Sequence, residues 1–255
     1  MKNEKKFVLV TGASKGFGRS IAIVWAKSCS SGSKMILTAR SEEGLNETEK
    51  EIKSLNSDIK VVKFITDHGN PVKAEYEALF NREIKDPNDK YDSGFLFHNV
   101  GVVEPQGDNI KDYSNLEEME NYFRLNLFSV MIINSVFFPL KQYLSNPLVV
   151  INISSLASIQ PIPSWGYYCM GKTARQMYFQ IMAKEEDDVR VLNYSPGPMD
   201  TSAIDRLKES DKTIDYVKGF WTNLIEPTTS AEKMAFIIEK NEFQSGVQID
   251  FFDDV

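Results

Sequence analysis

Short apolar segments alternate with longer amphipathic ones along the whole chain, and this alternation limits the fold more tightly than any single motif. Segments 7–11, 35–39, 60–66, 95–99, 148–154, 190–194 and 248–252 are strand-like, and most are nearly unbroken apolar runs. A strand with one wet face alternates apolar and polar residues, so unbroken runs imply strands covered on both faces. Between them, 19–27, 42–55, 72–83, 116–144, 168–183 and 230–239 carry helical patterns. Strand and helix taking turns predicts an α/β fold: a doubly wound parallel sheet of about seven strands with helices on both faces. The 255 residues contain no repeat, low-complexity tract or linker that marks a boundary. The segment 85–93 reads as a surface loop. One domain over 1–255 is the expectation.

Composition excludes several classes of function. A hydrophobic fraction of 42% with 25% charged residues is that of an ordinary globular chain. The net charge of −7 argues against a nucleic-acid partner, which needs a basic face. Cys29 and Cys169 are far apart and lack His or Cys partners at ligand spacing, so neither a disulfide framework nor a metal site is expected. No apolar signal region follows the charged N-terminal residues, and the cytosol is the expected compartment. The most apolar stretch, 125–140, contains Asn126, Ser129, Asn134 and Ser135 and reads as a buried helix, not a membrane span.

The first strand runs into Thr11-Gly12-Ala13-Ser14-Lys15-Gly16-Phe17-Gly18, directly before a helical pattern. Gly12 suits a tight turn, Gly16 a close backbone approach to a pyrophosphate, and Gly18 close packing of helix on strand. The amides opening that helix, with its positive dipole end, would face phosphates. An NAD site places a carboxylate at the end of the second strand. Here that strand ends Ala39-Arg40-Ser41. Arg40, with Lys15 and Arg19 nearby in sequence, is suited to a 2′-phosphate, which predicts NADP(H); a solvated surface charge is the alternative. Asp67 and His68 follow the third strand and would sit beside the adenine.

Tyr168 and Lys172 stand one helical turn apart, on one face. A phenol titrates near ~10 and is a poor acid at neutral pH. A cation about 5 Å away contributes roughly 3 kcal/mol at an effective dielectric near 20, or about two pKa units of depression. That would bring Tyr168 toward the range of general acid catalysis. Upstream, the fifth strand ends Ile153-Ser154-Ser155. A serine hydroxyl and the phenol aimed at one carbonyl oxygen would form an oxyanion-type pair.

Taken together, these motifs resemble the short-chain dehydrogenase/reductase superfamily, over nearly the whole chain and in its order. The glycine loop has the superfamily's T-G-x-x-x-G-x-G form. Ser155, thirteen residues before Tyr168, has the spacing of its catalytic serine, with Ser154 the neighbouring alternative. The fourth strand ends His98-Asn99-Val100-Gly101, where the superfamily reads Asn-Asn-Ala-Gly; Asn99 and Gly101 match, His98 and Val100 depart. The resemblance implies a Rossmann-type fold and NADP(H) as cofactor, with catalysis by Ser155, Tyr168, Lys172 and Asn126. Asn126 would hold a water that links Lys172 to solvent; a buried helical asparagine capping backbone is the other reading. Pro196, Gly197, Met199 and Thr201 match the turn that lies against the nicotinamide. The polar segment 199–226 would be a substrate lid.

A narrower resemblance is to the sepiapterin reductases. It rests on Ser154-Ser-Leu-Ala-Ser-Ile-Gln-Pro161, Trp165, Tyr168-Cys169 and the C-terminal Gly246-Val-Gln-Ile-Asp250-Phe-Phe-Asp253. It implies a pterin substrate bordered by Ser155, Leu156, Tyr168, Cys169 and Gly197, with Asp250 gripping the ring. A carboxylate can accept two adjacent N–H groups of a pterin edge in parallel. Asp250 ending a strand at the surface is the alternative. The resemblance also implies a homodimer through helices 116–144 and 168–183. Two competing functions remain: a diketone or aldehyde reductase without pterin specificity, and a nucleotide-binding sensor that does no chemistry.

Overall fold

In the computed structural model, residues 4–84, 90–209 and 214–254 are described, so positions 85–89 of the expected surface loop and 210–213 of the expected lid lie outside them. Seven parallel strands form one sheet: β1 Lys6–Thr11, β2 Lys34–Ala39, β3 Lys60–Ile65, β4 Ser93–His98, β5 Leu148–Ile153, β6 Val189–Ser195 and β7 Gln248–Asp250. Their spatial order is β3-β2-β1-β4-β5-β6-β7. Chain order reverses between β1 and β4, and at such a switch point the loops leaving the strands' carboxyl ends open a crevice for a ligand.

The strand runs behave as their composition requires. Every residue of β1, β2 and β4 is buried, whereas β3, at the sheet edge, is mostly half-exposed and carries Lys60 and Lys63. Helices cover both faces: α1 Gly16–Ala26, α2 Glu42–Leu55, α3 Lys73–Glu83, α4 Leu116–Phe123, α5 Ser129–Phe137, α6 Gly166–Glu185, α7 Ser202–Glu209, α8 Asp215–Lys218 and α9 Pro227–Lys240. One apolar layer joins Phe17, Ile21 and Trp25 of α1 and Met234 and Ile238 of α9 to one side of the sheet. The other joins Tyr76 and Leu79 of α3, Ile133 and Phe137 of α5, and Phe179 and Met182 of α6 to the opposite side. Burial of this kind stabilises by about 25 cal/mol per Å² of apolar surface and dominates the fold's energetics.

Three boundaries differ from the periodicity. The single helix expected over 116–144 is α4, a π turn over Arg124–Phe128, α5, and a 3₁₀ turn over Phe138–Tyr143. One side of it packs on the sheet through Val130, Ile133 and Phe137. The π turn carries the buried Asn126, and insertions of this type re-aim side chains near functional sites. The last strand stops at Asp250 because its carboxylate accepts the Phe252 N–H at 3.0 Å and turns the chain. Helices α7 and α8 were not anticipated, since 8 and 4 residues are too few for a periodic pattern to stand out.

Candidate active site

The loop between β1 and α1 is shaped by contacts that only glycine allows. Gly12 has φ +68°, and a Cβ on Gly18 would lie 2.2 Å from the Gly12 carbonyl oxygen. Asn99, at the end of β4, donates from Nδ2 to the carbonyls of Thr11 (2.9 Å) and Gly12 (3.3 Å). The Thr11 hydroxyl in turn accepts the N–H groups of Asn99 and Val100. The two central loops are thereby locked together at the switch point. Thr201 lies over Gly16, its Cγ2 3.5 Å from where a Cβ would stand. Ala13 and Phe17 are buried beneath the loop, while Ser14 and Lys15 face outward.

The loop and its surroundings fit a phosphorylated dinucleotide. Arg40 and Lys15 are exposed, and no described carboxylate pairs with either. Arg40 lines a depression of about 420 Å³ together with Ile65, Thr66, Asp67, Asn70, Val72 and Glu75; Ser41 caps α2 by accepting the Gly44 N–H. Arg19 is committed elsewhere. Its guanidinium donates to the Ser14 carbonyl, the Thr48 hydroxyl, Glu47 and Glu51, and so braces the loop from behind. His68 is turned inward, with Nε2 bonded to the Thr38 hydroxyl at 2.7 Å and Nδ1 to that of Tyr76 at 3.0 Å. Burial, opposed by Asp67 and aided by Arg40, pushes its pKa down to about 4. Its ring offers no nitrogen to a ligand. Asp67 is exposed and accepts the Gly69 N–H.

Ser155, Tyr168 and Lys172 converge beyond the carboxyl end of β5. Ser155 is extended and its hydroxyl accepts the Ala157 N–H at 3.2 Å. Ser154 instead points into a buried polar cluster with Ser158 and Gln176, each at 3.1 Å. The Lys172 ammonium lies 5.5 Å from the Tyr168 ring centre and donates to the Ile153 carbonyl at 2.6 Å. The expected depression of the phenol's pKa does not arise from Lys172 in the protein alone. Burial pushes Tyr168 above its ordinary value, partly offset by the Ser155 hydroxyl and then by the Arg175 guanidinium. Burial, joined by repulsion from Arg175, also drives Lys172 well below the usual lysine range. Lys172 is buried and Tyr168 half-buried, and withdrawal from water favours the neutral form of each.

Asn126 uses its side chain on backbone: Oδ1 accepts the Val102 N–H (2.9 Å) and Nδ2 donates to the Tyr122 carbonyl (3.0 Å). Its Oδ1 is also 3.0 Å from where a Cβ on Gly101 would stand, so that turn must remain bare. At the other side, Asp250 sits opposite Ser195 in register. Its Oδ2 accepts the Ser195 hydroxyl and its Oδ1 the Phe252 N–H. Gly197, φ +74°, turns the chain beside Phe251, Phe252 and Ile225, while the Pro196 carbonyl accepts the Ser230 hydroxyl and Met199 bridges to Ile225. Over these residues lies a third apolar cluster: Leu207 of α7 and Val217, with Ala157, Ile162 and Trp165, and Tyr168 and Cys169 against them. Leu156 is exposed at its margin, and burial raises the pKa of the Cys169 thiol.

Arg175 was not singled out from the sequence. It stands three residues beyond Lys172 and is 0% exposed, although it is a charged residue on the sheet-facing side of α6. A cation in the apolar phase of a helix is the signal that was available.

The chain matches the family model described as short chain dehydrogenase over residues 6–212. It is 35% identical to the sepiapterin reductase of Mus musculus across 96% of both chains. It is 25% identical to the (S)-benzoin-forming benzil reductase of Bacillus subtilis, across 80% of this chain and 79% of that one. The structure of levodione reductase superposes with a TM-score of 0.81 at 19% identity, covering 98% of this chain and 97% of that one.

Proposed function

We propose that this chain, which belongs to the short-chain dehydrogenase family and is an NAD(P)-dependent oxidoreductase, uses NADPH to reduce a side-chain carbonyl of a pterin. When bound, the cofactor supplies the hydride. Arg40 and Lys15, exposed and without a carboxylate partner among the described residues, are suited to its 2′-phosphate. The protein's own residues handle the oxygen. Ser155 donates a hydrogen bond to the substrate carbonyl and orients it. Tyr168 donates the proton that converts the developing alkoxide to an alcohol. Lys172, held by the Ile153 carbonyl, is positioned to bind ribose hydroxyls. The buried Asn126 holds the turn at Val102 in place and thereby the floor of the site.

The observation that carries the pterin reading is the state of Asp250. Two internal donors fix its carboxylate, and of roughly four lone-pair sites about two remain for a ligand. A 2-amino-4-oxo pterin presents two adjacent N–H donors to such a group. Strands β5 and β7 are two strand spacings apart, about 10 Å, and Ser155 and Asp250 stand at their carboxyl ends. That separation suits a bicyclic ring anchored at Asp250 with its side chain reaching Ser155, Tyr168, Leu156 and Cys169, past Gly197. The mouse sepiapterin reductase is 35% identical over nearly the whole length. In this reading the segment 199–226, of which 210–213 lie outside the described residues, serves as the lid.

The test compares NADPH consumption with sepiapterin and with simple diketones in the native protein and in Asp250→Asn. Loss of an anchoring carboxylate should lower pterin kcat/KM by about 10²-fold, equivalent to about 3 kcal/mol, and leave diketone turnover within a small factor. Equal turnover of both substrate classes by the native protein would favour the general reductase reading, which the benzil reductase match supports. NADPH binding with turnover of no carbonyl would favour the sensor.

A homodimer through α5 and α6 is part of the proposal. Phe128 and Met131 at and beside the start of α5, with Met170, Met177 and Ile181 on α6, are large apolar side chains left exposed on one chain.

A further inference from the structure

We propose that Arg175 is a positioning residue for the reaction: it ties the catalytic helix to the turn under the cofactor and supplies Tyr168 with a permanent neighbouring positive charge. The inference rests on the reading of Tyr168 as the proton donor.

Arg175 is 0% exposed, and no described carboxylate pairs with its guanidinium. A buried cation without a counter-ion is costly, so its presence calls for a compensating role. Three donors find neutral acceptors. Nε donates to Asn152 Oδ1 (3.0 Å), Nη1 to the Val100 carbonyl (2.8 Å) and Nη2 to the His98 carbonyl (2.6 Å). The two carbonyls flank Asn99, which holds the Thr11–Gly12 turn through its amide. A single side chain therefore joins α6, one turn past Lys172, to both central loops of the cofactor crevice.

The tie continues across the sheet. His98, Asn152, Asn193 and Gln248 are paired in one register row over β4, β5, β6 and β7. Asn152 donates to Asn193 at 2.9 Å, Asn193 donates to the Gly246 carbonyl at 3.0 Å, and Gln248 reaches the Ser155 carbonyl at 3.4 Å. Apolar residues would fill this row more cheaply. The polar row instead sets the heights of Ser155 and Asp250 relative to the helix that carries Tyr168.

The electrostatic part follows from what faces Tyr168. These groups are the Ser155 hydroxyl after β5, Lys172, Cys169 and Arg175 on α6, and the Tyr122 phenol on α4. Tyr122 is itself pushed upward by burial and is neutral. Burial drives Lys172 toward its neutral form. Burial brings Arg175 down only to about 10, so it stays charged at neutral pH. Burial works against the charge of both cations on α6, and Arg175 keeps its charge at neutral pH.

The test measures kcat against pH in the direction of NADPH-dependent reduction for the native protein, Arg175→Met, Arg175→Lys and Tyr168→Phe, with NADPH affinity followed by fluorescence. In reduction the protonated phenol is the active form, so kcat falls as pH rises through its pKa. Removing a neighbouring cation raises that pKa. Arg175→Met should therefore shift the alkaline limb upward by about one pH unit and lower neutral kcat at least about tenfold. Arg175→Lys keeps the charge but cannot hold three acceptors, and should retain the native limb with reduced kcat. If Arg175→Met does not fold, Arg175→Gln carries the same expectation. A folded, charge-free variant whose limb coincides with the native one overturns the inference. A Tyr168→Phe protein with native rate and limb overturns instead the reading of Tyr168 on which it rests.

Discussion

Replacing Arg40 by alanine isolates the interaction proposed to decide between the two nicotinamide dinucleotides. Arg40 follows β2 in the open, with no described carboxylate to release when it is removed. A dianionic phosphate about 4 Å from a guanidinium gains about 2 kcal/mol even at the dielectric of water, twice the value for a pair of unit charges. This corresponds to about a 30-fold weaker Kd for NADPH. NADH lacks the 2′-phosphate, so its Kd should stay within about a factor of two. Lys15 shares the charge and limits the loss, and a Lys15→Ala, Arg40→Ala double variant should lose more than either single one. Salt offers a second signature, because screening at 1 M shortens the Debye length to about 3 Å and should narrow the gap between native and variant. Fluorescence titration of both dinucleotides at low and high salt reads all of these quantities. An equal loss for NADPH and NADH, or no loss for either, would refute the assignment of Arg40 to the phosphate.

Two further expectations concern stability and assembly. His98 is fully buried with Nε2 bonded to Asn134 at 2.8 Å, and burial followed by Arg175 pushes its pKa down to about 3; His68 is pushed to about 4. Both folded values lie below the unfolded ~6.5, so the stability they represent is complete above that pH and is lost as pH falls toward the folded values. Denaturant unfolding at pH 7 and pH 4 should show about 3 kcal/mol lost per histidine, and His68→Asn should remove about one proton's share of the slope; an unchanged slope in that variant would contradict it. In the proposed dimer Met177→Glu, on the exposed face of α6, should halve the mass seen by light scattering, and an unaltered mass would contradict an interface through that face.

Much of the architecture was legible because each β run is buried on both faces and so carries an almost pure apolar signal. β1, β2 and β4 are the clearest cases. The glycine loop was legible for a local reason: Gly12 and Gly18 occupy positions where a Cβ would meet backbone or the Asn99 side chain. What could not be read depends on contacts between segments distant in sequence. The break at Asn126 turns on a hydrogen bond to Val102, 24 residues away. The inward turn of His68 depends on Thr38 and Tyr76. Arg175 finds its acceptors at the ends of β4 and β5, 23 to 77 residues away, and burial of Tyr168 and Lys172 explains why the spacing argument for them gave the wrong sign for the protein alone. That argument assumed a charged lysine in a medium of intermediate polarity; the folded site desolvates both groups.

The central claim is that the Tyr168 hydroxyl delivers the proton to the reduced carbonyl, and the most direct measurement is the turnover of Tyr168→Phe under saturating NADPH and substrate. Loss of the hydroxyl should lower kcat by about 10²- to 10⁴-fold while NADPH affinity and thermal stability stay near native. A folded variant that keeps its NADPH affinity and reduces substrate within a few-fold of the native rate would contradict the account.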